Sequence, residues 1–194
     1  RLVKGWEVAD IEQPESAKKA VEWFDAQLNK TIGEIDDIFS KYRLSEALMA
    51  VYKLFWDEFS SWYLEMAKPA YQQPIDRATY EATLGFFDSL LKVLHPFMPF
   101  ITEELWQALE DRKEGESIMV SLQPKAGKVN EEVIAGFEKV KEIIAGVRTV
   151  RLQKNVPNKE SLEMEIIGSH QADFDAVIAK LCNLKKMTQL NEKS

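Results

Sequence analysis

The feature that most constrains the fold of this chain is a set of long apolar stripes with helical spacing. From Pro14 onward, apolar residues recur in steps of three and four, which places them on one side of a helix. They are Ala17, Ala20, Val21, Phe24, Leu28, Ile32, Ile35 and Phe39. A second stripe predicts a helix from about Leu44 to Ala67, which ends at Lys68 because a residue before proline disfavours helical geometry. Its wide apolar face predicts contact with two or more neighbouring helices.

Two more helices are predicted before residue 110. Asp76 is a good N-cap for a third helix, which runs to His95 and stops there because Pro96 follows. Pro99 then suits the start of a shorter fourth helix, where its missing N–H is not needed. Long helices joined by short connections predict an antiparallel bundle.

The stretch LHPFMPFITEELW, residues 94–106, forms the joint between the third and fourth helices. His95 has no partner at catalytic spacing, so we interpret it as a structural turn residue. Glu103 and Glu104 fall in the first turns of the fourth helix, where negative charge suits the helix dipole. The apolar residues of the joint are predicted to fill the corner between the two helices: Phe97, Phe100, Ile101, Leu105 and Trp106.

After Gly115 the pattern changes to alternating helices and strands. We predict a short strand at 118–122, a helix over 129–154, a strand at 162–167, a helix over 171–181 and a strand near 187–190. The predicted fold is therefore mainly α: an antiparallel helical bundle (1–110), a linker with a short strand (111–128) and a small α/β subdomain (129–194). The net charge also changes, from −8 over residues 1–110 to +1 over residues 111–194.

Known catalytic signatures are missing from the sequence. The two histidines, His95 and His170, are far apart, and neither has an acidic residue at metal-ligand spacing. No glycine-rich phosphate loop and no nucleophile elbow is present. The single cysteine, Cys182, favours a reducing compartment, and no apolar run approaches the roughly 18 residues of a membrane span. The chain opens with RLVKGWEV rather than methionine, which we interpret as a segment of a longer protein.

Two groups of residues are candidates for binding nucleic acid. The segment IIAGVRTVRLQKNVPNK (143–159) has no acidic residue, and on a helix Arg148, Arg151 and Lys154 fall within an arc of about 120°. Such a basic stripe suits phosphate contact, although a solvated helix face gives the same pattern. An aromatic cluster in the second helix could stack unpaired bases or form bundle core, and the helical spacing favours core. Its members are Tyr52, Phe55, Trp56, Phe59, Trp62 and Tyr63.

The sequence YRLSEALMAVYKLFWDEFSSWYLEMAKP (42–69), followed by LHPFMPFITEELW, resembles the anticodon-binding region of valyl-tRNA synthetases, a class I family. The family motif residues are His95, Pro96, Phe97, Pro99, Phe100, Glu104 and Trp106. RxxRxxxNVPN at 148–158 is similar to the segment that follows the bundle in that family.

The resemblance implies a module that recognises valine tRNA through its anticodon stem-loop and carries no catalytic site itself. The catalytic and editing domains would belong to the same polypeptide, with ATP and magnesium needed by the complete enzyme and no cofactor held in these residues. It further implies a cytoplasmic monomer with no membrane association. Arg1 and Lys4 would face the anticodon, Arg43 and Lys53 are further candidates, and Arg148, Arg151 and Lys154 would hold phosphates.

Two other interpretations stay open. The isoleucyl and leucyl enzymes carry similar HPFxPF segments, so this could be their anticodon-binding domain. A helical protein-interaction module whose basic stripe is only solvated surface is the alternative of another class.

Overall fold

The computed structural model of the protein describes residues 7–167 and 172–190. Its helices are α1 (Glu15–Ser40), α2 (Leu44–Lys53), a π-helical segment (Leu54–Tyr63), α3 (Leu64–Ala67), α4 (Arg77–Leu94), α5 (Pro99–Gln107), α6 (Glu131–Gln153) and α7 (Asp175–Cys182). Its strands are β1 (Val8–Ala9), β2 (Ile75–Asp76), β3 (Leu162–Ile167) and β4 (Leu184–Leu190), and 3-10 turns lie at Ile118–Val120 and Ala172–Phe174. The predicted mainly α architecture with a small α/β part is confirmed.

An aromatic core holds the bundle together. Phe24 of α1 contacts the rings of Phe59, Tyr63 and Phe86 at centroid distances of 5.0 to 5.3 Å, which joins α1 to the π-helical segment and to α4. Asp76 is the N-cap of α4, as predicted. Its carboxylate accepts a 2.8 Å hydrogen bond from the Thr79 N–H. None of the helices in the described ranges is long and apolar enough to span a membrane.

The second long helix is continuous, as predicted, but its middle is not α-helical. From Leu54 to Tyr63 the backbone is π-helical, and the Leu64 N–H donates to the Phe59 carbonyl five residues earlier. The Ser61 hydroxyl donates to the Trp56 carbonyl at 2.9 Å, also five residues away. Buried positions in this segment are therefore spaced by four and five residues: Leu54, Glu58, Phe59 and Tyr63.

The α/β part is a β3–α7–β4 unit packed against the bundle. β3 and β4 are parallel neighbours, with a register irregularity between Leu162 and Glu163. Phe137 of α6 contacts Trp23 of α1 at 4.1 Å and Phe174 at 5.6 Å, so one apolar cluster includes both parts. The division at residues 110 and 128 stays a prediction.

The strand predicted at 118–122 is wrong. Residues Ile118–Val120 form a 3-10 turn, whose first N–H groups are satisfied by the Ser117 hydroxyl and the Glu103 carboxylate. Only Ile118 of this turn is buried, whereas Met119 and Val120 are 73% and 78% exposed. A short apolar segment with no neighbouring strand cannot satisfy its backbone N–H groups in an extended form, so the capped 3-10 turn is the more stable conformation.

The corner at 94–106 is held by polar contacts as much as by apolar ones. The Thr102 hydroxyl donates to the Met98 carbonyl at 2.8 Å, and its oxygen is hydrogen-bonded to Nδ1 of His95 at 2.7 Å. His95 is thus paired within the turn. Trp106 is buried, and its Nε1 donates to Asp88 at 2.7 Å.

The prediction that every apolar residue of this corner is enclosed is wrong. Phe97 is half-buried and stacks on Phe39 at 5.9 Å, but Phe100 is 90% exposed. Ile101 and Leu105 are also exposed, because α5 buries only Thr102 and Trp106 against α4. Pro96 and Glu104 face solvent, and Pro99 occupies the first turn of α5, as predicted.

Candidate nucleic-acid interface

The C-terminal end of α6 brings two exposed cations and one buried cation together. Arg148 and Lys154 are exposed, and none of the ion pairs found within residues 7–167 and 172–190 includes either side chain. The Arg148 guanidinium lies 5.6 Å from the centroid of the Trp62 ring, a distance that supports a cation–π contact. This surface therefore presents positive charge that the described protein does not neutralise.

Arg151 does not share that surface, so its prediction as a phosphate contact is corrected. The side chain is only 4% exposed. Its guanidinium donates to three backbone carbonyls: those of Pro157 at 2.8 Å, Glu160 at 2.9 Å and Cys182 at 2.7 Å. A planar guanidinium can satisfy several acceptors in fixed directions, so Arg151 joins the turn after α6 to the end of α7.

The turn after α6 is built by a left-handed residue. Asn155 has φ +53°, a conformation that asparagine tolerates better than most side chains. The Val156 N–H then bonds to the Arg151 carbonyl at 2.9 Å and closes the helix end. The chain consequently turns back over its own last helical turn, and Pro157 presents its carbonyl to Arg151.

A cleft of about 730 Å³, which we call the basic cleft, lies between this turn and the end of α7. Polar side chains on its wall are Arg148, Arg151, Asn155 and Asn158, and apolar ones include Val147, Leu152 and Leu181. Burial raises the pKa of the Cys182 thiol at its floor, while the positive charges of Arg148 and Arg151 act in the opposite direction. A cleft with a free guanidinium, amide groups and apolar walls can accept a phosphate and an unpaired base.

The other predicted residues lie away from the basic cleft. α6 runs antiparallel to α1, because Lys30 bonds to Glu131 at 3.1 Å while Trp23 contacts Phe137. The end of α6 is therefore beside the start of α1. Arg43 follows the other end of α1, a helix of 26 residues. At 1.5 Å per residue the two ends are about 40 Å apart.

Arg43 and Lys53 also differ in their surroundings. Arg43 forms an ion pair with Glu46, so its charge is compensated locally. Lys53 is exposed beside a polar groove between α1 and α2 that includes Glu34 and Glu58. Arg1 and Lys4 lie outside the described residues.

The predicted aromatic cluster is divided between core and surface. Phe59 and Tyr63 are buried, and Phe55 and Trp62 are half-buried. Tyr52 and Trp56 are 55% and 60% exposed, and their rings stack with a 12° angle between planes. The preference for core is thus correct for most of the cluster, and two members remain on the surface.

Two features of the interface were missed in the sequence. Asn155 and Asn158 line the basic cleft, and the sequence NVPN was treated only as part of a family segment. An asparagine directly after a basic helix end is a signal for a left-handed cap, which would have indicated the turn. The Arg148–Trp62 contact joins residues 86 positions apart, and local spacing carries no signal for it.

Comparison with known proteins identifies the family of the sequence. The model of the family described as the anticodon-binding domain of tRNA ligase matches residues 21–166. The chain is 68% identical to valine–tRNA ligase of Parabacteroides distasonis and 65% identical to that of Phocaeicola vulgatus, over 100% of this chain and 22% of each relative. Valine–tRNA ligase of Thermotoga maritima is 32% identical over 92% of this chain and 21% of the relative.

The sequence thus spans about a fifth of the length of the relatives that it matches. The matched family segment includes most of α1, all of the helices from α2 to α6 and the turn that forms the basic cleft. Because the family model covers most of the sequence, the chain belongs to the anticodon-binding domains of tRNA ligases.

Proposed function

We propose that this chain is the anticodon-binding domain of a valine–tRNA ligase and that it binds the anticodon stem-loop of valine tRNA. The relatives that match the whole chain are named valine–tRNA ligases, which favours valine over isoleucine or leucine. Aminoacylation would then be carried out by other domains of the same polypeptide, in the cytoplasm, with ATP and magnesium. Within the described residues, no group of three or more acidic, histidine or cysteine side chains is arranged to hold a metal ion.

The observation that carries the RNA contact is the uncompensated charge of two cations, Arg148 on the wall of the basic cleft and Lys154 directly after the end of α6. The protein has a net charge of −7, so its RNA contact must be local. Arg148 and Lys154 supply positive charge at one end of the bundle, and phosphate contacts of this kind release counterions from RNA. Arg151 acts by holding the turn that shapes the cleft.

The amide groups of the cleft add a means of reading a base. Anticodon loops present unpaired bases whose edges are free for hydrogen bonding. The side chains of Asn155 and Asn158 can donate and accept such bonds, while the apolar wall contacts the base plane. Arg43, 40 Å away by the length of α1, is not assigned to this contact.

Titration with transcripts of valine tRNA at several salt concentrations tests the proposal. Binding should weaken with salt and weaken again when the anticodon is changed. Replacing Arg148 with Ala should reduce affinity about tenfold near 0.1 M salt and lower the salt slope by about 1, as expected for one lost phosphate contact. Lys154→Ala should behave similarly.

Lys139→Ala is the matched control, since Lys139 is an exposed lysine on the same helix but away from the cleft. If it lowers affinity as much as Arg148→Ala does, the effect is one of total charge and the assigned surface is wrong. Equal binding of anticodon-altered transcripts would remove base recognition from this chain. Preference for isoleucine or leucine tRNA would reassign its specificity, and no salt-dependent binding at all would favour a protein-interaction module.

A further inference from the structure

The outer face of α2 carries an apolar stripe that nothing in the described residues covers. Leu44, Leu48, Tyr52 and Trp56 follow one another at intervals of four residues. They are 55%, 40%, 55% and 60% exposed, and Met49 beside them is 63% exposed. We call these five residues the α2 stripe.

The α2 stripe is separate from the face that α2 uses in the bundle. Ala47, Val51 and Leu54 are fully buried against the other helices. The helix therefore has a second apolar face, three turns and about 18 Å long. Continuous exposed apolar surface of this kind marks an interaction site, and the spacing suits a helix packed alongside.

The charges around the stripe argue against RNA as its occupant. From residue 44 to residue 57 the helix carries Glu46 and Asp57 but only one cation, Lys53. Arg43 and Glu46 form an ion pair and compensate each other, which leaves one cation and one anion, Lys53 and Asp57. Stacked rings can hold bases, but a nucleic-acid backbone that follows those bases would find no net positive charge here. The apolar face of a protein helix needs no such charge and fits better.

The stripe begins at the end of the bundle opposite to the basic cleft. That end also carries exposed apolar side chains of the 94–106 corner, since Phe39 at the end of α1 stacks on Phe97. Phe100 and Met98 are 90% and 49% exposed there. The exposed apolar surface therefore lies at the end of the bundle away from the basic cleft.

We propose that the α2 stripe is the docking surface for an amphipathic helix from the remainder of the ligase polypeptide. The relatives extend well beyond the 22% of their length that matches this chain, so ample sequence exists to supply that helix. The inference rests on the proposed function only in requiring that the chain be one part of a longer polypeptide.

Cysteine labelling of the full-length ligase tests this docking. Met49→Cys and Tyr52→Cys each place a thiol on the stripe. Tyr71→Cys places one at a loop residue that is itself 89% exposed, at the other end of the bundle. Without tRNA, the stripe thiols should react at least about tenfold more slowly than the loop thiol, because a docked helix must open before the label can enter. Peptide mapping identifies the labelled site, and all three thiols should react alike in denaturant.

A benzophenone side chain at position 52 identifies the occupant. We expect an intramolecular cross-link to a peptide outside these 194 residues. Equal labelling of the stripe and loop thiols overturns the proposal. So does protection that develops only when tRNA is added, which would make the stripe a base-stacking surface, or a cross-link with the mass of a dimer. None of these results depends on anticodon recognition, so a failure of the proposed function is seen separately in the tRNA titration.

Discussion

Replacing Arg151 with Ala provides the sharpest test of how the basic cleft is built. The substitution removes three hydrogen bonds from a charged donor to the carbonyls of Pro157, Glu160 and Cys182. Pro157 and Glu160 are exposed residues, so water can replace part of what their carbonyls lose, whereas Cys182 is buried. One carbonyl left without a donor and two that are partly rehydrated together give a loss of about 3 kcal/mol in the free energy of unfolding.

Urea denaturation followed by far-UV circular dichroism measures this loss directly. Arg148→Ala is the control because it removes the same charge from an exposed position three residues earlier, and we expect it to lose less than about 1 kcal/mol. Arg151→Lys should fall between the wild type and Arg151→Ala, since a lysine lacks the planar fork that reaches separate carbonyls. If Arg151→Ala is no less stable than Arg148→Ala, Arg151 does not hold the turn and our reassignment of its role fails.

Three further changes test other parts of the structure. Burial raises the pKa of Tyr63 from 10.0 to about 12. Its contribution to the free energy of unfolding is therefore intact below pH 10 and is lost as pH rises through about 12. In urea denaturation at pH 9 to 12, Tyr63→Phe should abolish this part of the loss of stability. Asp76→Ala removes the N-cap of α4 and should lower the free energy of unfolding by about 1 kcal/mol, whereas Asp76→Asn should retain most of it. Asn155→Gly should change stability by less than about 0.5 kcal/mol, but Asn155→Val should lose about 1–2 kcal/mol because a β-branched residue resists positive φ; equal losses in both would contradict the left-handed turn.

Helical periodicity predicted the main elements because burial of one apolar face decides where these helices form. The stripe of α1 is an example: Ala20, Phe24 and Ile32 all lie in the core, as their spacing indicates. The same periodicity does not tell which of two apolar faces is inward. Tyr52 and Phe59 were placed in one cluster, yet one is exposed and the other is buried, since the π-helical segment changes the spacing of buried positions.

Arg151 shows a different limit of sequence reasoning. Its spacing from Arg148 and Lys154 is that of a basic helix face, and by that criterion the three residues are equivalent. Its actual partners include the carbonyl of Cys182, which is 31 residues away, and backbone carbonyls leave no mark in the sequence. Phe100 shows a further limit. It is predicted to fill the corner but is 90% exposed, because an apolar residue in a family motif can serve an interface as well as a core.

The π-helical segment makes the second long helix sensitive to length. Returning the same ten residues, Leu54 to Tyr63, to α-helical hydrogen bonding would make each of them turn further about the helix axis than in the π-helical form. It would also turn everything that follows by about 100°, the angle of one helical residue. Met66 and Ala67, both buried, would then leave the core, and the carbonyls of Met66 and Lys68 would move away from the ammonium group of Lys180 that binds them. In this stretch the number of residues and the π-helical hydrogen bonding are therefore coupled: loss of one residue can be absorbed by a return to α-helical bonding, whereas that return at constant length displaces the buried residues that follow.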